Sequence, residues 1–308
     1  MRHSRRITAN REEGVSVALV VVVAVALVFP VRAASSQLVD RNARNVTMLV
    51  NAKGEALITY RANGQLRHVL AWGAVNAIAP TRSRPQLAFK LDYAGGWGKY
   101  HRDYWVTFSG GCGRYDGPPL AWKVAACKAP DGSYWALQAW QRMLPNYGVT
   151  PSVAQAAWEL RLSHWTGSMA TLVVMTDWAW HQWDHLFGSY LYVGNPVFGF
   201  RSTSAGVPLD TFGRNIYVDT FNSAYGRGWR RENSFLTHTG TGAFCYSFNP
   251  HNLHPAGKGT AYRATVEGPG VTPDVLWQAA APGPYDARVD AAANELERNL
   301  HDRSCLPN

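Results

Sequence analysis

The chain has 308 residues, of which 46% are hydrophobic, so it is long enough for one large domain or two small ones with ample material for a core. It carries a formal net charge of +9, but apart from Arg227, Arg230 and Arg231 its basic residues are scattered. Because nucleic-acid binding favours a run of Lys and Arg, which this sequence lacks, we do not expect a nucleic-acid partner.

The N-terminus has the pattern of an export signal. Basic residues in 2–11 precede an apolar run, 15–29, and small residues follow it. A basic segment, a short apolar segment and an A-x-A-like end are typical of a secretory signal, so we predict a signal peptide that is cleaved after Ala33. The apolar run is shorter than the ~20 residues of a usual membrane span. The alternative is an uncleaved membrane anchor formed by residues 15–31.

The charge of the cleaved chain indicates a class of partner. Cleavage would leave 25 basic and 19 acidic residues. A positive charge outside the cell favours contact with anionic wall polymers or lipid headgroups. We therefore expect a cell-wall glycan or another anionic envelope polymer as partner, and membrane contact only through the N-terminal segment.

Four cysteines are spread along the chain. An even number in an exported chain predicts two disulfides, and four cysteines permit three connectivities. Proximity in the sequence favours Cys112–Cys127 and Cys245–Cys305. The second disulfide would attach the C-terminal segment to the body of the protein and contribute roughly 2–4 kcal/mol. The C-x-x-C spacing of zinc and thioredoxin sites does not occur in the sequence.

Residues 34–45 are small, polar and mixed in charge, and they are predicted to be a tether. After them, short apolar segments recur about every 8 to 12 residues, separated by Gly, Asn-Gly and Pro-Asp-Gly turns, which predicts one antiparallel β-rich domain over 46–308. The main predicted strands are 47–50, 56–61, 66–72, 87–93, 122–128, 133–140, 188–193, 197–201, 215–221, 242–248, 260–266 and 274–280.

The stretch 157–187 contains five of the thirteen tryptophans and three histidines. Alternating apolar residues before the turn at 167–168 predict a β-hairpin. In that hairpin, Trp158, Trp178 and Trp180 occupy positions facing the core. The stretch is therefore predicted to be scaffold rather than an active site.

The end of the chain changes to helical periodicity. The apolar residues Val289, Ala293, Leu296 and Leu300 recur at helical spacing within 286–302. We predict an amphipathic helix docked on the sheets through that stripe. The predicted fold class is mainly β: a single antiparallel, sandwich-like domain with a C-terminal α-helix.

Standard catalytic motifs do not occur in the sequence, and no cofactor is expected. His181 and His185 would form a metal-binding face on a helix, but strand residues four apart lie ~13 Å from end to end. Hydrogen-bonding or surface roles are therefore favoured over a metal site. Cys245 lies between two histidines in the sequence, but the even cysteine count favours a disulfide over a nucleophile.

The strongest candidate site begins with the predicted strand 216–221. Strict alternation places Tyr217, Asp219 and Phe221 on one face. A carboxylate flanked by aromatic rings suits sugar recognition, or an acid with a raised pKa. The alternative without a function is that Asp219 pairs with an arginine on the outer face of the sheet.

A glycine-containing loop, predicted within 222–241, would bring Trp229 and Glu232 over that face. Two carboxylates at a suitable separation can hydrolyse a glycosidic bond, so Asp219 and Glu232 are the alternative catalytic pair. Trp97, Trp183 and Trp229 lie in predicted loops. They are the tryptophans best placed to stack on a carbohydrate ring.

Three segments resemble uncharacterised exported proteins of high-GC bacteria. They are Leu-Ala-Trp-Gly-Ala-Val-Asn at 70–76, Tyr-Trp-Ala-Leu-Gln-Ala-Trp at 134–140 and Asn-Ser-Phe-Leu-Thr-His at 233–238. The likeness extends over most of 46–250. It implies no activity and assigns no residue roles.

These observations predict an exported, disulfide-stabilised protein of the envelope or extracellular space. The first hypothesis is a binding or structural module that recognises a glycan or wall ligand through aromatic residues. The second is a polysaccharide hydrolase with a carboxylate pair. The third is a disulfide-stabilised protein without a small-molecule site.

Overall fold

The structure of the protein is a computed structural model. The described residues are 36–78, 81, 83–84, 87–143, 156–180, 183–198, 201–202, 208–209, 215–223, 226–235, 237, 240–250, 259–267 and 274–306. The predicted signal or anchor, its cleavage site after Ala33 and the candidate ligand His181 lie outside these residues.

Antiparallel strands make up most of the described chain, which confirms the mainly β prediction. In chain order they are β1 (Gln37–Arg41), β2 (Arg44–Val50), β3 (Glu55–Ala62), β4 (Gln65–Trp72), β5 (Lys90–Asp92), β6 (Gly113–Arg114), β7 (Lys123–Lys128), β8 (Tyr134–Met143), β9 (Ala156–Trp165), β10 (Ala170–Ala179), β11 (Trp183–Tyr192), β12 (Asn195–Pro196), β13 (Arg201–Ser202), β14 (Pro208–Leu209), β15 (Asn215–Ser223), β16 (Gly226–Phe235), β17 (Ala243–Pro250), β18 (Ala261–Glu267) and β19 (Val275–Ala280).

Among the described helical elements, only the one at Ala287–Asn299 is longer than four residues. They are α1 (Trp97–Tyr100), α2 (Tyr104–Thr107), α3 (Ala287–Asn299) and a 3-10 turn at Arg303–Cys305. Within the described residues, no helix is both long enough and apolar enough to cross a membrane.

The strands form four larger sheets and the two-stranded ladder β13-β14. The strand orders of the larger sheets are β1-β9-β8-β7-β6, β2-β3-β4-β5, β16-β15-β18-β19, and β10-β11-β12 with β17 paired to the other edge of β11. The order follows the chain closely in β2-β3-β4-β5, whereas β1 pairs with β9 across more than a hundred residues.

Two apolar clusters fill the described fold. In the first, alternate residues of β3 and β4 pack with alternate residues of β8 and β9 because successive strand side chains point to opposite faces. The second joins β10 and β11 to β15, β17 and β18 through residues such as Leu186, Val218 and Tyr262. The segment that contains α1 and α2 covers part of the opposite face of β3 and β4, where Trp105 stacks on His68 and Lys99 lies over Trp72.

Part of the segment 34–45, which was predicted to be a tether, is a strand. Gln37–Arg41 forms β1 and pairs with β9. Its mixed charges are used in the fold, since Arg41 forms an ion pair with the buried Glu159 at 3.1 Å. A short polar segment can be a strand when its partner strand supplies the apolar contacts and the charges.

The predicted hairpin over 157–187 is also wrong in its pairing. β9 pairs with β1 and β8, whereas β10 pairs with β11, so the turn at 167–168 connects two different sheets. Trp178 and Trp158 have opposite environments: Trp178 is buried, and Trp158 is 52% exposed beside the bend at Asn42. Alternation identified the strands, but it carries no information about which strand is the partner.

The C-terminal helix is confirmed, but its docking face differs from the prediction. Of the predicted apolar stripe, Ala293 is buried, whereas Val289 and Leu296 are 40% and 48% exposed. The helix instead buries Asp290, Asn294 and Glu297. Asn294 accepts the Trp180 N–H at 2.7 Å and Glu297 accepts the Trp180 indole N–H at 2.9 Å, whereas Asp290 accepts from Asn294 Nδ2 at 3.0 Å within the helix.

Both disulfides have the connectivity favoured by sequence proximity. Cys112 and Cys127 are joined with a Cα–Cα distance of 5.7 Å, and Cys245 and Cys305 with one of 5.2 Å. The second disulfide connects β17 to the 3-10 turn after α3. Cys245 is therefore a structural residue and not a thiolate nucleophile.

Candidate functional site

The predicted site at 216–233 is a strand pair and not a strand with a loop over it. β15 pairs with β16, so the segment predicted as a glycine-containing loop continues the sheet. Tyr217, Asp219 and Phe221 share one face of β15, opposite Thr265, Arg263 and Ala261 of β18.

Asp219 is held between two arginines. It is 1% exposed, with Arg231 Nε 2.6 Å from Oδ1 and Arg263 Nη2 2.7 Å from Oδ2. Burial raises the pKa of Asp219, but the charges and hydrogen bonds of Arg231 and Arg263 outweigh it and hold the pKa below its ordinary value. This carboxylate is ionised and buried, which is the opposite of the raised-pKa acid that the sequence suggested.

Arginine side chains also cover the aromatic rings of this face. The guanidinium of Arg231 lies 4.1 Å from the centre of the Tyr217 ring, and that of Arg263 lies 4.6 Å from the Trp229 ring. Trp229 packs on Phe221 at 5.1 Å and is buried. Glu232 lies at a β-bulge of β16 and is half-buried. The face is packed inside the protein and does not form an open aromatic platform.

The weaker metal hypothesis can be followed only at His185, since His181 lies outside the described residues. His185 is buried in β11, and its Nδ1 lies 2.6 Å from Glu297 Oε1 of α3. In the described part of the chain, no group of three or more His, Cys, Asp or Glu side chains is arranged to hold a metal ion. His185 serves the docking of α3.

The three loop tryptophans lie in different environments. Trp229 is buried, and the side chain of Trp183 lies outside the described residues. Trp97 is 53% exposed at the start of α1. It belongs to residues 93–108, here called the aromatic segment, which also contains Tyr93, Tyr100, Tyr104, Trp105 and Phe108.

Two glycines allow the aromatic segment to fold back on itself. Gly95 has φ of +64°, and a Cβ there would lie 2.7 Å from the Trp105 ring and 3.2 Å from His68 Cβ. At Gly96, with φ of +105°, a Cβ would lie 2.6 Å from Tyr104 Cβ. The Trp105 N–H donates to the Gly95 carbonyl at 3.0 Å, so α2 lies directly against the turn. Only glycine fits both the backbone conformation and the space.

A buried carboxylate fixes the aromatic segment to the sheet. Glu55, the first residue of β3, is 1% exposed. Its Oε1 accepts hydrogen bonds from Lys99 Nζ at 2.5 Å and from the Tyr100 hydroxyl. Its Oε2 accepts from Asn51 Nδ2 at 2.8 Å and from the Tyr104 hydroxyl at 3.2 Å. We call this arrangement the Glu55 anchor.

The carboxylate of the Glu55 anchor is ionised at neutral pH. Burial raises the pKa of Glu55, but the hydrogen bonds from Lys99, Tyr100 and Asn51 outweigh it and lower the pKa to about 2. Burial and the neighbouring Glu55 raise the pKa of Tyr104 to about 12, so that its hydroxyl remains a donor. The anchor therefore consists of one carboxylate, one ammonium group and neutral donors.

An open groove of about 350 Å³ lies between β4 and the aromatic segment. Its floor includes the ring pair Trp105 and His68, whose centres are 4.2 Å apart with planes 6° apart. His68 Nδ1 is 2.9 Å from Thr59 Oγ1, which fixes the imidazole ring. The groove is lined by Gln65, Leu66, Arg67, His68, Tyr93, Ala94 and Trp105.

The polar groups of the groove are set close to its aromatic rings. The Tyr93 hydroxyl donates to the Val39 carbonyl at 2.9 Å, which holds the ring in place while half of the side chain remains exposed. Arg67 lies with its Nε 3.8 Å from Asp40. Aromatic rings that are held in place can stack on a sugar ring, and the neighbouring amide and guanidinium groups can donate hydrogen bonds to its hydroxyls.

Sequence reasoning selected Trp97 from this region and missed Tyr93, Trp105, His68 and the Glu55 anchor. The sequence signal for this region was an aromatic, glycine-rich stretch without strand or helix periodicity. Such a pattern indicates a segment that side-chain contacts, rather than the hydrogen bonds of a sheet, hold in place. A glutamate at the first position of an apolar strand was the second signal.

Comparisons of the chain with models of protein families, with curated proteins and with solved structures returned no match. The function must therefore be inferred from the groove and its chemistry.

Proposed function

We propose that this protein is an exported binding protein of the cell envelope that recognises a wall glycan through the groove at Tyr93 and Trp105. The observation that carries the proposal is the exposed, rigid pair of aromatic rings. The Trp105 ring is fixed because it stacks on His68. The Tyr93 ring is fixed because its hydroxyl donates a hydrogen bond to the Val39 carbonyl. Rings that are already ordered lose little side-chain entropy when a sugar stacks on them.

The lining of the groove favours binding over hydrolysis. Glycoside hydrolysis uses a carboxylic acid and a carboxylate on either side of the bond that is broken. Among the described residues that line the groove, none is Asp or Glu. The earlier candidate Asp219 is buried between arginines, and it is therefore poorly suited to donate a proton.

Two features support export. The N-terminal sequence has the pattern of a secretory signal. The described chain contains two disulfides, which are typical of proteins in oxidising compartments. Separation of the cells into cytoplasmic and extracytoplasmic fractions, followed by N-terminal sequencing of the protein, tests export and cleavage after Ala33.

Calorimetric titration with soluble glycan strands from bacterial wall tests the binding proposal. We expect Trp105→Leu to weaken binding about tenfold, because an aromatic contact contributes roughly 0.5–1.5 kcal/mol beyond the buried area. Trp158→Leu is the matched control, since Trp158 is 52% exposed on β9, in a different sheet. Equal affinities of Trp105→Leu and the native protein would overturn the proposal, as would an equal loss in the control.

A further inference from the structure

The docking of α3 leaves a second groove in the described fold. Because the helix is fixed through Asn294 and Glu297, its apolar residues Val289 and Leu296 do not pack fully against the sheet. They face part of β10, β11 and β19 across a groove of about 370 Å³. Its apolar lining includes Val174, Met175, Phe187, Trp277, Val289 and Leu296. We call it the α3 groove.

Contacts within the chain hold both ends of α3. Asp286 caps the helix by accepting the Arg288 N–H at 2.8 Å. The other end is followed by the 3-10 turn that carries the Cys245–Cys305 disulfide. The groove is thus held open by contacts on either side of it. Its volume lies in the range of roughly 300–1,000 Å³ that small-molecule sites occupy.

One charge lies in this apolar surface. Among the described lining residues, Asp177 is the only charged one. Burial raises the pKa of Asp177, and the nearby charges of Asp290 and Asp286 raise it further. On α3, Arg298 pairs with Glu295 at 3.1 Å, and its guanidinium lies 5.1 Å from the centre of the Trp180 ring. The groove thus places one carboxylate among apolar residues, in a chain whose net charge is +9.

We propose that the α3 groove binds an amphiphilic cation, with its alkyl chain against Val174, Trp277 and Leu296 and its ammonium head at Asp177. The apolar lining supplies the affinity, and the carboxylate supplies the preference for a cation over an anion. This site is separate from the proposed glycan groove, so each proposal stands or fails without the other.

Calorimetric titration with three single-chain probes tests this site: decyltrimethylammonium, decyl maltoside and decyl sulfate, each below its micelle concentration. We expect the ammonium probe to bind at least tenfold tighter than the sulfate, with the maltoside between them. Loss of one methylene should weaken each probe roughly fourfold, as burial of CH₂ groups predicts. Equal affinities of the cationic and anionic probes would overturn the proposal.

Two variants distinguish the contribution of the ammonium head from that of the alkyl chain. Asp177→Asn should remove the preference for the cation and leave maltoside binding unchanged, because the amide oxygen can still accept the Trp178 N–H that Asp177 now accepts at 2.8 Å. Leu296→Ala should weaken all three probes about tenfold or more, since it removes three carbons from the lining. Asp116→Asn and Val193→Ala are the controls, since both residues are exposed and neither lines the groove.

If Asp177→Asn still binds the cationic probe more tightly than the anionic one, another residue binds the ammonium head and the assignment to Asp177 is refuted. If Leu296→Ala binds the probes as tightly as the native protein does, the alkyl chain does not lie against Leu296 and that assignment is refuted. Sedimentation of the native protein adds a check on the occupant. A dimer that Leu296→Ala converts to monomer would show that a second copy, and not an amphiphile, covers the groove.

Discussion

Lys99 donates a 2.5 Å hydrogen bond to Glu55, and its ammonium group lies 4.6 Å from the centre of the Trp72 ring. The lysine of α1 is thus attached both to the buried end of β3 and to the aromatic face at the end of β4. This contact, with those of Tyr100 and Tyr104, holds the aromatic segment against the sheet. The geometry of the groove at Tyr93 and Trp105 therefore depends on a carboxylate that does not line it.

Replacement of that carboxylate tests the dependence. We expect Glu55→Gln to lower the free energy of unfolding by about 1–3 kcal/mol, because it removes the charged acceptor of Lys99 and leaves buried groups imperfectly paired. It should also weaken glycan binding, since the segment that carries Trp105 loses its attachment. Urea unfolding and calorimetry measure the two effects. Asp116→Asn, which breaks the exposed Lys128 pair, should change stability much less than Glu55→Gln does, because solvent screens an exposed ion pair.

The Glu55 anchor also predicts a dependence on acid. The pKa of Glu55 is lowered from 4.5 to about 2. The unfolded chain therefore takes up a proton at a higher pH than the folded protein. The stabilisation is fully present above pH 4.5 and is lost as the pH falls through 4.5 towards 2. Urea unfolding at pH 5, 4 and 3 should show a steeper loss for the native protein than for Glu55→Gln; parallel curves would contradict the assignment.

A buried histidine gives a second pH window. His164 Nδ1 lies 2.6 Å from the Ala74 carbonyl, Nε2 lies 2.8 Å from Ser133 Oγ, and the ring stacks on Trp135 at 3.8 Å. Burial lowers its pKa from 6.5 to about 4, although the Ala74 carbonyl and Asp131 oppose the shift.

Because the pKa of His164 is lower in the folded state, its stabilisation is complete above pH 6.5 and is lost as the pH falls towards 4. We expect His164→Gln to be less stable at pH 7 but to lose less stability between pH 6.5 and 4.5. Thermal unfolding across that interval measures the difference. His101→Gln is a suitable control, since His101 is exposed.

The glycine turn before α1 can be tested with a matched pair. Gly95 and Gly54 have φ of +64° and +68°, but a Cβ at Gly54 meets nothing within 4 Å, whereas one at Gly95 meets Trp105. Gly54→Ala should therefore cost only the roughly 1–2 kcal/mol of the left-handed conformation. Gly95→Ala should cost more and should also weaken glycan binding. Equal losses of stability would show that Trp105 does not pack on Gly95.

The two disulfides should differ in their contributions. Cys245 and Cys305 are separated by 60 residues and Cys112 and Cys127 by 15. Since the longer loop restricts the unfolded chain more, removal of Cys245–Cys305 by paired alanine substitution should cost about 1 kcal/mol more than removal of Cys112–Cys127. Guanidinium unfolding of the two double variants measures this. A larger loss for the shorter loop would contradict the loop-entropy explanation.

The pattern of residues was sufficient for the local features of the fold. Alternation and turn residues identified most of the strands, because the two faces of a strand have different environments whatever its partner is. The spacing of Ala293 and its apolar neighbours identified α3. Proximity identified the two disulfides, because this pairing closes shorter loops than either alternative pairing of the four cysteines.

The tertiary structure decided which surfaces meet. Strand alternation placed Asp219 beside Tyr217 and Phe221, but the arginines that neutralise it come from β16 and from β18, 44 residues later. The same holds for Glu55, which meets Lys99 only because the aromatic segment folds back over β3. Helical periodicity likewise could not show that α3 would dock through Glu297 and leave Leu296 exposed. Local patterns report which side of an element is apolar, whereas a site depends on contacts between residues far apart in the chain.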